Sequence, residues 1–191
     1  MGNAMEPVRG TDNILDFAAV LREKPKIGQW NYVLFMTGIY LGRRISDLLG
    51  LRVRDVKGKN KVYFREGKKN KEFHLAINKE LKEIYDDYCK GKKDYEFLFQ
   101  NSRSKTPKAI TRQQCWNIFK EAGEKLGYDG KIGCHSLKKT LGRKLYDDGV
   151  DVYLIMHILG HNDLEYTKYY IGVTGDEMNK ALETISYRQH R

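Results

Sequence analysis

The sequence lacks the features of disulfide-rich secreted proteins and of membrane proteins. Its 191 residues include only three cysteines, and Cys89, Cys115 and Cys134 are too far apart to form a C-x-x-C motif. An odd number of widely spaced cysteines predicts a reducing compartment, the cytoplasm. The longest apolar run, from Tyr32 to Met36, is far shorter than the about 20 residues that a transmembrane helix needs. Both classes of protein are therefore excluded.

Acidic residues are also in deficit. The chain has 25 Asp and Glu residues against 35 Lys and Arg residues, a net charge of +10, and its isoelectric point is about 9.4. A protein this basic is expected to bind an acidic partner, with nucleic acid the first candidate and an anionic membrane surface the second. A hydrophobic content of 40% with 12% aromatic residues excludes a disordered basic tail.

Apolar residues at helical spacing dominate the chain. Thr11 is placed to cap the first helix, and Thr111 with Gln114 and Thr174 with Glu177 have the spacing of capping boxes. The predicted helices cover residues 11–24, 27–41, 45–51, 78–89, 112–126, 137–148, 151–159 and 175–185.

In one stretch, apolar and polar residues alternate instead, as they do in β-strands. Val62 and Phe64 stand opposite Phe73 and Leu75 across a polar turn, which predicts a β-hairpin. A short strand near residues 53–56 is expected to join it. The predicted fold class is α+β, a mostly α-helical domain with a small three-stranded antiparallel sheet.

The simplest division of the chain is one domain. The first five residues read like a cloning remnant ahead of a second start at Met5. We therefore assign residues 1–10 to a tag remnant and leader and residues 11–191 to the domain. The densest run of basic residues, from Lys57 to Lys71, includes the hairpin turn, a shape suited to a nucleic-acid groove.

Four local patterns and a tyrosine follow one another along the chain. They are Gly42-Arg43-Arg44-Ile45-Ser46-Asp47, Gly67-Lys68-Lys69-Asn70-Lys71-Glu72, His135-Ser136-Leu137-Lys138 and Leu159-Gly160-His161, with Tyr170 nine residues later. Together they resemble the catalytic domain of the tyrosine recombinases, the phage-integrase family, whose enzymes use Arg, Lys, His-x-x-Arg, Leu-Gly-His and Tyr in that order. The resemblance covers about residues 28–187.

The resemblance implies a site made of Arg44, Lys68, His135, Lys138, His161 and Tyr170. Tyr170 would attack the phosphorus of a DNA phosphodiester and form a 3′-phosphotyrosine, releasing a 5′-hydroxyl. Because the phosphodiester is anionic, Arg44 and Lys138 would first neutralise its non-bridging oxygens. The covalent intermediate keeps the bond energy, so a second DNA end can reverse the step without a cofactor or a metal.

The remaining site residues would transfer protons or orient groups. A phenol with a pKa of about 10 needs a base at neutral pH, and His135 is the candidate. Lys68 is the candidate acid for the leaving 5′-oxygen. His161 would hydrogen-bond the phosphate or orient its neighbours, and Asp47 would orient basic residues.

One position departs from the family pattern. Lys138 stands where the family has its second arginine, and an ammonium cannot grip two phosphate oxygens as a planar guanidinium does. Three explanations stay open: Lys138 acts at reduced efficiency, Arg143 one turn further on reaches the site, or the protein is a weakened enzyme.

Three tyrosines follow His161 closely, and their distance from it in the sequence decides which of them is the predicted nucleophile. The family places its nucleophile nine residues after the histidine, which selects Tyr170. Tyr166 and Tyr169 are three residues apart and are expected to share a packing face.

The predicted function is a site-specific DNA recombinase of a mobile genetic element or phage, monomeric when free and tetrameric on double-stranded DNA. The resemblance also implies an upstream DNA-clamping domain, for which this chain has no room. The alternatives are a non-catalytic DNA-binding relative and a strand transferase like the type IB topoisomerases. Zinc binding by His157 and His161, with Cys134 beside His135, is disfavoured because no paired cysteines complete a site.

Overall fold

A computed structural model describes residues 5–66, 71–101, 104, 106–128 and 131–184. Most of this part of the chain is helical. Its elements are α1 (Thr11–Arg22), α2 (Gly28–Leu41), α3 (Ile45–Leu49), α4 (Val53–Val56), β1 (Lys61–Glu66), β2 (Lys71–Ala76), α5 (Lys79–Tyr88), α6 (Arg112–Lys125), α7 (Cys134–Asp147), α8 (Val152–Leu159), α9 (Leu164–Ile171) and α10 (Gly175–Glu183).

Local capping chemistry sets many of the helix starts. The Thr111 hydroxyl accepts the Gln114 N–H at 3.2 Å, and the Gln114 side chain accepts the Thr111 N–H at 2.9 Å. At α10, the Thr174 N–H donates to Glu177 at 2.8 Å. Both predicted capping boxes are confirmed. Asp151 caps α8 by accepting the Tyr153 N–H at 2.9 Å.

The hairpin is confirmed, but the predicted third strand is wrong. β1 and β2 pair antiparallel, with Val62 opposite Leu75 and Phe64 opposite Phe73, and in the described residues they form a two-stranded sheet. Residues 53–56 form α4 instead. The physical reason is local, because the Asp55 carboxylate accepts the Arg52 N–H at 2.7 Å and so closes a helical turn.

α2 runs through the middle of the domain and packs against α1, α5 and α7. Gly38 allows the close approach of α7, since a Cβ there would lie 2.4 Å from Leu137 Cδ1. Gly42 ends α2 with a φ of 57°, in the left-handed region that glycine tolerates. The chain is thereby turned so that Arg44 begins α3.

The segment before α1 packs on the domain. Val8 is buried, and its N–H donates to Thr140 Oγ1 at 2.9 Å. The Arg9 guanidinium donates to the Gly172 carbonyl, which ends α9, at 3.3 Å. Residues 8–9 therefore connect α7 to the end of α9. No helix in the described ranges is both long and apolar enough to cross a bilayer.

Candidate active site

Two consecutive arginines follow α2 and have different surroundings. Arg43 is buried, lies 4.8 Å from the centre of the Phe73 ring and donates to the Ile158 carbonyl. Arg43 therefore connects the end of α2 to the hairpin and to α8. Arg44 is exposed at the first position before α3, so its guanidinium is accessible to a ligand.

α7 carries the next two site residues on its first turns. Gly133 precedes the helix, and its N–H donates to Ser136 Oγ at 3.1 Å. His135 is exposed, whereas Lys138 is half-buried. The Lys138 Nζ atom lies 5.6 Å from the centre of the Tyr170 ring. The positive charge of Lys138 is thus adjacent to the predicted nucleophile.

The surroundings of Lys138 lower its pKa. Burial, followed by the positive charges of Arg43 and Arg44, lowers the pKa of Lys138 to about 8, while Asp47 acts in the opposite direction. The ammonium therefore remains mostly protonated at neutral pH but titrates in the mildly alkaline range. An arginine in this place would not titrate there.

Both site histidines are neutral at pH 7. Burial, with Lys138, Arg43 and Arg44 adding to it, lowers the pKa of His161 to about 4. His135 is exposed, but its partial desolvation and the neighbouring cations also lower its pKa, Arg112 being the strongest of these cations. A neutral imidazole can accept a proton, as a general base must.

The hydrogen bonds of Thr167 fix the tautomer of His161. The Thr167 hydroxyl donates to the Asp163 carbonyl at 2.9 Å, so it can only accept from His161 Nδ1, which lies 3.0 Å away. His161 therefore carries its proton on Nδ1, and its Nε2 is left as an acceptor.

Tyr170 is buried, with 5% of its surface exposed. Its ring lies 4.8 Å from the His161 ring and 5.6 Å from the Tyr166 ring. Its hydroxyl donates to the backbone carbonyl of His135 at 3.4 Å, rather than to the imidazole. Burial raises the pKa of Tyr170 well above its usual range. In this state the phenol is protonated and shielded.

The other two tyrosines do not share a packing face, so that prediction is wrong. Tyr169 is 69% exposed and Tyr166 is 51% exposed. The buried face of α9 is instead formed by Thr167, Tyr170 and Ile171.

The structure brings Arg44, His135, Lys138, His161 and Tyr170 into one region. Lys68 lies outside the described residues, between the end of β1 and the start of β2. Sequence reasoning missed Lys139, whose Nζ lies 5.1 Å from the centre of the Tyr170 ring. Its position next to Lys138 was the available signal.

Arg143 does not reach the site. It is buried, and its guanidinium pairs with Glu177, with Asp147 at 2.8 Å and with the Gly172 carbonyl at 3.3 Å. These bonds connect α7 to the end of α9 and to α10, so Arg143 has a structural role.

The candidate zinc ligands have other partners. The His157 ring packs on the Tyr153 ring at 4.6 Å, and the Cys134 thiol donates to the Arg112 carbonyl at 3.7 Å. Within the described ranges, no three His, Cys, Asp or Glu side chains are grouped as a metal site would require.

Known proteins resemble this chain over most of its length. The family model described as the phage integrase family matches residues 11–177. The probable integrase/recombinase YoeC of Bacillus subtilis is 34% identical over 95% of this chain and 97% of its own length. The tyrosine recombinase XerA of Pyrococcus furiosus is 30% identical over 84% of this chain and 55% of its own length. The chain thus spans all but the ends of YoeC but only about half of XerA.

The fold is similar to that of solved recombinases. The integrase of the transposon Tn1549, in complex with transposon right end DNA, superposes with a TM-score of 0.68 at 17% identity, over 97% of this chain and 68% of the other. The predicted fold class and family are confirmed. The chain belongs to the phage integrase family and has the fold of a tyrosine recombinase catalytic domain.

Proposed function

We propose that this protein is the catalytic domain of a site-specific DNA recombinase that cuts and rejoins DNA strands through a 3′-phosphotyrosine on Tyr170. One observation carries the proposal: Tyr170 lies beside Lys138, at 5.6 Å, in a region of high positive charge. That charge extends to Arg44, whose field lowers the pKa of Lys138 and of His161.

The first task of the site is to bind the phosphodiester. Arg44, being exposed, binds one non-bridging oxygen, and Lys138 binds the other with a single ammonium. The anion in turn favours the protonated form of Lys138, because opposite charges raise the pKa of a lysine. Substrate binding therefore restores the full charge of the clamp.

The second task is to free and deprotonate Tyr170. Its hydroxyl must leave the carbonyl of His135 before it can reach a phosphorus atom, so α9 has to shift when DNA binds. His135 is the base for this step, since its lowered pKa leaves it neutral. His161 positions Tyr170 by packing against its ring.

The third task is protonation of the leaving 5′-oxygen, which we assign to Lys68, between β1 and β2 in the sequence. The reaction conserves the energy of the phosphodiester bond in the covalent intermediate, so we propose no metal or cofactor.

The partner is double-stranded DNA, bound by one protomer or, during strand exchange, by four. Residues 11–191 form the catalytic domain in this scheme, and its compartment is the cytoplasm.

The proposal is tested by trapping the covalent adduct. The substrate is a library of nicked duplexes with a randomised core. Cleavage near the nick releases a short fragment that carries the 5′-hydroxyl, so the strand cannot be rejoined and remains covalently attached to the protein. Sequencing the attached strands identifies the target site. Mass spectrometry of the digested adduct is expected to place the phosphate on Tyr170. Tyr170→Phe should abolish the adduct and leave DNA binding unchanged.

Tyr169→Phe is the matched control, because it removes a neighbouring exposed hydroxyl and should keep the adduct. A phosphate found on Tyr169 would refute the assignment of the nucleophile. An adduct that survives substitution of both tyrosines would show that neither is the nucleophile, and mass spectrometry would then identify the residue that carries the phosphate.

One observation favours a second candidate, a DNA-binding relative with weakened catalysis. Lys138 occupies the position of an arginine and offers a single ammonium in place of a planar guanidinium, which weakens the phosphate clamp. Under this alternative the natural protein binds duplexes of the library but forms no adduct with any of them, and Lys138→Arg restores adduct formation.

A further inference from the structure

Lys139 follows Lys138 on α7 and contacts the helix that carries the predicted nucleophile. Its Nζ atom lies 5.1 Å from the centre of the Tyr170 ring and 5.6 Å from the centre of the Tyr169 ring, and its side chain is half-buried. Glu6, the acidic residue whose charge acts on Lys139, is itself paired with Lys131 at 3.2 Å. The Lys139 ammonium therefore faces two aromatic rings of α9.

The two adjacent lysines lie in different surroundings. Three charged groups of the candidate active site act on Lys138, namely Arg43, Arg44 and Asp47. The charged group that acts on Lys139 is Glu6 instead. Successive residues of a helix point about 100° apart, which accounts for this difference. Of the two ammoniums beside the Tyr170 ring, only that of Lys138 lies among the groups proposed to bind the phosphodiester.

The surroundings of the Tyr170 ring are positively charged. Besides Lys139, the titratable groups that face the ring are Lys138 at 5.6 Å, the neutral His161 ring at 4.8 Å and the Tyr166 ring at 5.6 Å. Among the described residues, no carboxylate shifts the pKa of Tyr170. Two ammoniums without a carboxylate favour a negative charge on the group between them.

The charges of the proposed reaction call for a third cation. A phosphodiester carries one negative charge, and a phenolate that attacks it brings a second. Arg44 and Lys138 are already assigned to the non-bridging oxygens, which leaves no cation for the charge that develops on Tyr170. An interaction that strengthens as this charge develops lowers the barrier of the reaction.

We propose that Lys139 stabilises the negative charge that Tyr170 acquires as it attacks the phosphodiester. Lys139 acts through Tyr170 and does not bind the phosphate, so it is a positioning residue. In this step the Tyr170 proton passes to His135 and the phenolate oxygen bonds to phosphorus. The bond from phosphorus to the 5′-oxygen then breaks, and that oxygen takes a proton from Lys68. The inference rests on the proposed function, with Tyr170 as the nucleophile.

The pKa of the phenol at position 170 provides a test that needs no activity. Both lysines lose their protons at a lower pH than the Tyr170 phenol does, because burial lowers their pKa values and raises that of Tyr170. A more acidic phenol is therefore needed, so 3,5-difluorotyrosine is incorporated at position 170 and its ionisation is followed by ¹⁹F NMR. An ammonium within about 4–6 Å lowers the pKa of an acid by about 1 or more. Lys139→Met should raise the measured pKa by about 1, whereas Lys139→Arg should leave it nearly unchanged.

The rate of adduct formation tests the same contact during the reaction. At pH 7 and saturating nicked duplex from the library, Lys139→Met should slow adduct formation about tenfold and leave the Kd for DNA unchanged. Lys139→Arg should retain the rate, because a guanidinium keeps the charge and also stacks on aromatic rings. Lys144→Met is the matched control, since this exposed lysine of α7 is paired with Asp148. Thermal melting curves show whether each variant is folded.

Three results would overturn the proposal. The first is a pKa at position 170 that Lys139→Met leaves unchanged, and the second is an equal loss of rate in Lys139→Arg and Lys139→Met. The third is a weaker Kd in Lys139→Met with an unchanged rate at saturation, because Lys139 would then be a phosphate contact. A natural protein that forms no adduct would contradict the proposed function, whereas the ¹⁹F titration would still decide whether Lys139 stabilises a phenolate.

Discussion

Replacing Lys138 by arginine should change the pH dependence of DNA cleavage. The proposed clamp on the phosphodiester requires a charged group, and the pKa of Lys138 is lowered to about 8 by its burial and by Arg43 and Arg44. Its charge is therefore present below pH 8 and is lost as the pH rises through that value. Arginine keeps its charge throughout this range.

The magnitude follows from the fraction of charged lysine. One pH unit above its pKa, only about a tenth of a group remains protonated, so cleavage by the natural protein should fall to about a tenth of its plateau near pH 9. The ratio of the Lys138→Arg rate to the natural rate should therefore rise about tenfold between pH 7 and pH 9. The titrations of His135 and Tyr170 affect both proteins and cancel in this ratio.

The assay is the initial rate of covalent adduct formation on the selected nicked duplex at subsaturating DNA. Under these conditions the rate reports the pKa of the free protein, whereas bound DNA would raise the pKa of Lys138. Lys144→Arg is the matched control, because Lys144 is an exposed residue of the same helix, paired with Asp148. Parallel profiles for the natural protein and Lys138→Arg would refute the idea that the charge of Lys138 is needed.

Three further outcomes are expected. Because the unfolded chain binds the Lys138 proton more tightly, Lys138→Met should raise the free energy of unfolding in urea by about 1–2 kcal/mol at pH 7, an effect that disappears near pH 10.5. Arg143→Met should lower it by about 2–3 kcal/mol, since Glu177 loses a buried partner, whereas Lys144→Met should change it by less than about 0.5 kcal/mol. In titrations of duplex DNA, log K should fall with log[salt] by about 0.9 per phosphate contact, and a salt-independent affinity would contradict phosphate binding.

Local signals explain why most of the helices were predictable, although α4 and α9 were not among the predicted helices. The capping boxes at Thr111 and Thr174 act between neighbouring residues, so the sequence alone reveals them. The error at residues 53–56 has the opposite origin. Two valines there favour a strand by propensity, but the Asp55 carboxylate bonds to the backbone of Arg52 and stabilises a helical turn. A single side-chain bond thus outweighs a weak propensity.

The sequence predicted that five of the candidate site residues lie close together, but it did not predict their burial or their pKa values. The order of the motifs is enough to expect Arg44, Lys138 and Tyr170 in one place. Their electrostatics depend on burial, which is produced by contacts between residues far apart in sequence. For that reason the sequence indicated neither the lowered pKa of Lys138 nor the shielding of the Tyr170 hydroxyl. It also could not tell which of two adjacent arginines faces inward.

The bond between Arg9 and the Gly172 carbonyl has a practical consequence. Gly172 ends the helix that carries Tyr170 two residues earlier, and Arg9 belongs to the segment by which any preceding chain is attached. A displacement of that segment therefore acts directly on the end of the helix that carries the predicted nucleophile. We therefore expect a fusion partner or a trimmed end placed at Arg9 to remove this bond at the end of α9, so expression tags belong well ahead of this residue.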